Sequence, residues 1–226
     1  MAREAAVVRV WDLPTRLFHW ALAFGVVAAI VSARLGGAAM TWHMRFGYAI
    51  FTLLAFRLAW GFVGGHWSRF RSFVTGPATT LRYLRRQSLP HEHHDVGHTP
   101  LGAWSVLALL VVLVAQVATG LVADDEIASN GPLFRYVGDA TSAAASHWHR
   151  LYGQWIIIGL ALLHVGAVAF WWLRWRENLV APMLNGDKAL SGDVPAALDN
   201  RASRLRALAL TVACAIAVAL IARLGD

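Results

Sequence analysis

Apolar residues in this chain come in long unbroken runs, not in the spaced stripes of a soluble protein. Five runs, at roughly 16–36, 42–63, 101–123, 147–173 and 205–222, have the ~20 residues that a helix needs to cross a bilayer. Leu13-Pro14-Thr15 fits an entry turn to the first run, which closes in Gly36-Gly37. The second run closes in Gly64-Gly65, and Asn130-Gly131-Pro132 marks a turn before the fourth. Residues 77–87 mix basic and apolar side chains and read as an interfacial helix within the polar loop 66–99. The pattern predicts an all-α integral membrane helical bundle. Its parts are a lead (1–15), a four-helix domain (16–176), a linker (177–204) and a fifth transmembrane helix (205–226).

Composition narrows this further. The 226 residues are 58% hydrophobic and only 15% charged, which excludes a soluble domain of this length. The net charge of +7 does not point to nucleic acid, because in a membrane protein a basic balance first means cytoplasmic loops. The lead with Arg16 just after it, the loop 66–99 and the segment 174–206 carry 14 of the 20 Lys and Arg residues. The positive-inside rule then places the N-terminus in the cytoplasm and the C-terminus outside. The first run is read as a span and not as a cleaved signal, since Trp11-Asp12-Leu13-Pro14 replaces the short basic segment of a signal peptide. Cys214 is the single cysteine, so there is no intrachain disulfide and no Cys-x-x-Cys-His; any haem is non-covalent and b-type.

Histidine inside an apolar span is costly unless something binds it, and His164 lies deep in the fourth run. His149 is 15 residues earlier, about 22 Å along one helix and about 60° around it, so one helix presents two imidazoles toward opposite sides of the membrane. Spans two and four run in the same direction, and both begin Trp-His-x-x-x-Gly: Trp42-His43 with Gly47, and Trp148-His149 with Gly153. His43 and His149 therefore share one depth, while His19, in the first turn of span one, shares the other with His164. Two depth-matched pairs are what two bis-histidine haems require as axial ligands. Gly47 and Gly153 either let a flat macrocycle approach or let helices pack closely, and the sequence leaves both readings open.

Other residues carry weaker signals. His147 lies about 200° from His149, so it replaces His149 only in a different register. Arg16, Arg45, Arg57 and Arg150 are candidates to neutralise haem propionates, with interfacial anchoring the competing account for Arg16. His91, His93 and His94 suggest a metal cluster but fit a solvated loop better, and His98 is placed near the inner haem or a quinone. Asp124, Asp125, Glu126 and Asp139 are either a dock for a basic cytochrome or a solvated loop. Trp171, Trp172 and Trp175 read as an aromatic belt.

Several segments together resemble the bacterial cytochrome b561 and hydrogenase-type b cytochromes. They are Val10-Trp11-Asp12-Leu13-Pro14-Thr15-Arg16-Leu17-Phe18-His19-Trp20, Gly97-His98-Thr99-Pro100-Leu101-Gly102, Thr119-Gly120-Leu121, Asp124-Asp125, Gly131-Pro132-Leu133, His149, His164, Asn178-Leu179, Pro182-Met183 and Gly186. The resemblance implies a four-helix diheme core with His19, His43, His149 and His164 as ligands of two non-covalent haem b. It also implies electron relay between membrane quinone or quinol and a periplasmic partner, such as a c-type cytochrome or a hydrogenase. The place implied is the bacterial inner membrane, among lipid, and a homo-oligomer is compatible with it. The fifth span exceeds the four-helix core and either anchors a partner or closes the bundle. Two rival functions stand beside this one. One is a superoxide:quinone oxidoreductase of the same fold, favoured by Arg45, Arg135 and Arg150 but opposed by the acidic run 124–126. The other is a membrane anchor subunit of a larger redox complex.

Overall fold

The computed structural model describes residues 6–85, 87, 96–124, 129–190 and 194–225. A short strand β1 (Ala6–Arg9) precedes α1 (Leu13–Leu35) and, after one 3-10 turn, α2 (Met40–Val63). Two short helices, α3 (Phe70–Phe73) and α4 (Pro77–Leu84), lead to α5 (Pro100–Val122). Then α6 (Asp139–His147) passes through a π-helical turn, Trp148–Gly153, into α7 (Gln154–Trp175). α8 (Val180–Asn185), β2 (Asp187–Leu190) and α9 (Arg201–Ala222) complete the chain. Among the described residues, five helices are long and apolar enough to cross a membrane, as the hydropathy pattern requires. The protein is an all-α integral membrane protein apart from one small two-stranded sheet.

Element boundaries differ from the sequence expectation in three places, each for a physical reason. The helix holding span four starts at Asp139, not near 147, because Gly138 precedes it in extended backbone and Asp139 sits in its first turn, where the helix dipole favours an acid. With 37 residues it is about 55 Å long, well beyond a ~30 Å hydrocarbon layer, and its early turns are polar enough to lie outside that layer. The fifth helix starts at Arg201, because the Asn200 side chain accepts the Ser203 N–H at 2.9 Å and caps it. Hydropathy missed this turn because it holds Arg201, Arg204 and Arg206. The lead and the linker, read as polar connections, pair as antiparallel strands in the register Ala6↔Leu190 to Arg9↔Asp187. The interfacial helix expected over 77–87 forms over Pro77–Leu84.

The chain divides into two compact units. The first comprises Met1–Leu17, Leu58–Ala108 and Leu163–Ala207. Its apolar core is Val10, Trp11, Trp67, Val96, Leu190 and Ala197. Beside that core the Asp12 carboxylate is fully buried and accepts the backbone N–H groups of Thr15 (2.9 Å) and Gly65 (3.2 Å), the Ser68 hydroxyl (2.8 Å) and the Trp60 indole (3.3 Å). Asp12 thus caps α1 and ties its start to the end of α2. Gly186, with φ +93°, closes α8 and lets its carbonyl accept both Val10 and Trp11 N–H; a Cβ there would lie 2.7 Å from the Trp11 carbonyl oxygen. The first unit also holds Trp171, Trp172 and Trp175 at the end of α7, with Trp172 and Trp175 exposed.

Asp199, 4% exposed, is the ionic hub of the same unit. It binds Arg9 at 2.7 Å and Arg204 at 2.9 Å, and Arg16 stands at 3.8 Å. Burial alone would push the Asp199 carboxyl up, but hydrogen bonds from Arg204, the Leu13 N–H and Arg9 outweigh it and hold the group below its ordinary range.

The second unit comprises Phe18–Arg57, Leu109–Leu162 and Leu208–Asp226. Gly36 and Gly37 both take positive φ, 63° and 53°, which allows the tight reversal from α1 into α2. Within the unit, Ser142 donates to the Val122 carbonyl (2.9 Å) and Ser146 accepts the Asp124 N–H (2.9 Å), fastening α6 to the end of α5. Arg135 donates to the Gly225 carbonyl at 2.7 Å.

Asp12→Asn turns an acceptor into a donor facing donors. It should cost about 2–4 kcal/mol, with several buried groups left unsatisfied, and the thermal midpoint of the detergent-solubilised protein measures it. Asp199→Asn should cost about 1–2 kcal/mol at pH 7, since two of its arginine partners are partly solvated. A pKa lowered on folding adds stability above the unfolded value and loses it as pH falls through the folded value. The gap between wild type and Asp199→Asn should therefore be full at neutral pH and close below about pH 4.

Candidate functional site

The second unit contains a cavity of about 350 Å³ whose wall is mostly apolar. His43 from α2 and His149 from the π-helical turn both line it, with ring centroids 5.9 Å apart and ring planes at 87°. Each ring is fixed through Nδ1. His43 Nδ1 donates to the Ala29 carbonyl at 2.9 Å, and His149 Nδ1 donates to the Gln116 carbonyl at 2.8 Å. A carbonyl oxygen only accepts, so in both rings the proton is on Nδ1 and Nε2 keeps its lone pair for a ligand-binding role.

The two glycines of the repeated Trp-His-x-x-x-Gly pattern behave differently. Gly47 lines the cavity, and a Cβ built there meets nothing within 4 Å, so this position leaves space open beside His43. At Gly153 a Cβ would lie 1.8 Å from Gln116 Oε1, so this glycine serves packing of α5 against the π-helical turn. Gly120 on α5 also makes room for a ring, because a Cβ there would lie 2.7 Å from His149 Cε1. The donor set, the open face at Gly47 and the apolar wall together fit a haem held by His43 and His149.

The expected arginines separate. Arg150 lines the cavity, as does Arg34, which also donates to Gln154 at 3.2 Å and lies 5.1 Å from the Trp155 ring. Arg45 stands outside the cavity wall, over Trp42 at 4.9 Å. Arg57 is buried on α2, 3% exposed, in the second unit. Arg16 is in the first unit, donating to the Leu184 carbonyl beside Asp199. His19, half-buried on α1, meets the Trp20 ring edge-on at 5.0 Å. His164, half-buried on α7, falls within the first unit.

The remaining histidines and acids find local roles. His147 packs edge-on against Tyr152 at 5.2 Å, while His149 takes the place facing His43. His98 is set between the rings of Trp11 (4.9 Å) and Phe73 (4.6 Å) in the first unit. His91, His93, His94, Asp125 and Glu126 lie outside the described residues. Among the described residues, no group of three or more His, Cys, Asp or Glu side chains is placed to hold a bare metal ion. Asp124 lines the cavity, and Asp139 belongs to the first turn of α6.

Sequence reasoning missed Gln116, Gly120 and Arg34. Gln116 had a usable signal: it is the one side-chain amide in the third apolar run, and a polar group there needs a reason. Arg34 ends the first run, and its position alone does not point to a cavity. Gly120 stood in the Thr119-Gly120-Leu121 segment of the resemblance, but its role did not show, because only the folded neighbour shows what its missing Cβ avoids.

Comparison with known proteins identifies the family. The family model for prokaryotic cytochrome b561 matches residues 10–186. A probable Ni/Fe-hydrogenase B-type cytochrome subunit of Azotobacter chroococcum mcd 1 is 25% identical over 231 residues, covering 85% of this chain and 93% of that protein. The corresponding protein of Bradyrhizobium diazoefficiens is 24% identical, covering 80% and 85%. A probable Ni/Fe-hydrogenase 1 B-type cytochrome subunit of Escherichia coli (strain K12) is 24% identical, covering 78% and 88%. No solved structure matches this chain. With the family's pattern running from Val10 through both histidines of the cavity to Gly186, this chain belongs to the prokaryotic cytochrome b561 family.

Proposed function

We propose that this protein is a diheme b-type membrane cytochrome carrying electrons between membrane quinone and a redox partner on the periplasmic side. The observation that carries the reading is the facing pair His43 and His149, each with its proton locked on Nδ1 at the wall of one apolar cavity. Bound haem supplies a one-electron iron couple. The chain's own part is to bring two imidazoles, each with Nε2 unprotonated, to the wall of one mostly apolar cavity. Cationic side chains also stand at the cavity, where Arg34 and Arg150 suit the two carboxylates of a haem edge. Two protein ligands rather than one suit electron transfer over oxygen binding.

His19 and His164 are proposed as the ligands of the second haem, on the depth argument from the sequence. Arg69, Arg71, Arg82 and Arg85, together with Arg174 and Arg176, support a cytoplasmic place for the loops that carry them, and the span directions read from the sequence then put His43 and His149 near the periplasmic ends of their spans. The printed names of the relatives make a nickel–iron hydrogenase a reasonable partner, beside a c-type cytochrome. The superoxide reading draws less support. Arg135 is engaged by the Gly225 carbonyl and Arg45 by Trp42, so these cations are committed within the chain.

A reduced-minus-oxidised spectrum of purified protein, with extracted haem counted per polypeptide, tests the proposal. Two haem b per chain are expected, falling to one in His149→Ala and to one in His164→Ala. A wild-type count of one would remove the second site, and a count of none would overturn the reading. Electron transfer should be lost in both variants, whereas a passive membrane anchor would keep its partner assembled and working.

A further inference from the structure

The turn that carries His149 is π-helical, with bonds to the N–H five residues on in place of four. Two glutamine amides bond carbonyls of this turn. Gln154 donates to the Arg150 carbonyl, and Gln116, reaching from α5, donates through Nε2 to the His149 carbonyl at 2.9 Å. Gln116 holds the same residue a second time, since its own main-chain carbonyl accepts His149 Nδ1 at 2.8 Å. Its amide oxygen is buried without a donor and seated where a Cβ on Gly153 would stand, and Gly120, one turn on, clears the space for the imidazole.

We propose that Gln116 is the positioning residue of the His43–His149 haem site: its side-chain amide holds the π-helical turn open and so sets the direction in which His149 presents Nε2. The inference rests on the haem reading above and adds to it a residue from the third span, which contributes no histidine. The backbone acceptor on Nδ1 survives any substitution at 116, so a side-chain variant separates turn geometry from tautomer. Ligand orientation and basicity govern the electronic structure and potential of a bis-histidine haem. The chain's contribution is therefore readable without any partner.

Gln116→Met keeps length and apolar fit while removing the amide, and it is assayed in purified, haem-loaded protein by potentiometric titration and low-temperature EPR. At the potential where the wild-type His43–His149 haem is half-reduced, its reduced-to-oxidised ratio should change at least threefold. Its low-spin EPR signal should move as the ring planes leave their near-perpendicular setting, with the other haem unchanged. Loss of that one haem with the other retained supports the same assignment. Superimposable titrations and spectra, or loss of both haems together, would overturn it. A wild-type preparation that binds no haem would instead sink the reading on which this one stands.

Discussion

Where water cannot reach, each polar group must find its partner within the chain, and that requirement shapes the polar chemistry of this protein. Ser32, Thr52 and Thr119 turn their hydroxyls onto carbonyls of their own helices. His43 and His149 do the same with Nδ1, but onto other helices, and this single bond decides the chemistry of each ring. A solvated imidazole shares its proton between two tautomers, whereas here a carbonyl holds it on one side and leaves the other nitrogen as a base. Satisfying one polar atom thus prepares the second for ligation.

The shape of the site follows from a related economy. Turns and small residues, not large rearrangements, place the groups. One π-helical turn carries His149, and its His149 and Arg150 carbonyls accept from Gln116 and Gln154. Gly120 and Gly153 admit the imidazole and the amide that clamp it, and Gly47 keeps space beside His43. The same three-residue spacing after the two histidines therefore serves two ends. A Trp-His-x-x-x-Gly repeat looks symmetrical as sequence, but its glycines meet an empty cavity wall in one helix and a packed side chain in the other.

Much of the fold was legible, because burying a backbone in lipid demands long apolar runs that nothing else in a sequence imitates. Membership of the family was legible too, in the Trp11-Asp12-Leu13-Pro14 and Gly131-Pro132-Leu133 segments. Helix starts were not, since hydropathy reports where a helix enters the apolar layer, as at 147, and capping reports where it begins, as at Asp139 and Arg201. The β1–β2 pair escaped because four-residue strands far apart in sequence carry too little pattern. At the site, depth and direction brought His43 and His149 to one level, but depth says nothing of tautomer. That information lies in Ala29 and Gln116 main-chain atoms, to which no side-chain pattern points.

The fifth helix is best understood through its ends. At its start, Asn200 caps the first turn, and Arg204 shares the buried Asp199 with Arg9, next to the strand that pairs with β2. At its other end, the Gly225 carbonyl takes the Arg135 guanidinium, and Gly225 approaches Pro132 so closely that a Cβ would lie 2.7 Å from its Cα. A helix kept only to hold a separate subunit would need neither attachment. The family pattern stops at residue 186, before this helix begins, yet the chain spends a buried carboxylate and a C-terminal carbonyl to fasten it. Those bonds favour a helix that closes on its own chain over one reserved for a partner, and they leave the partner to be met through the haem-bearing part.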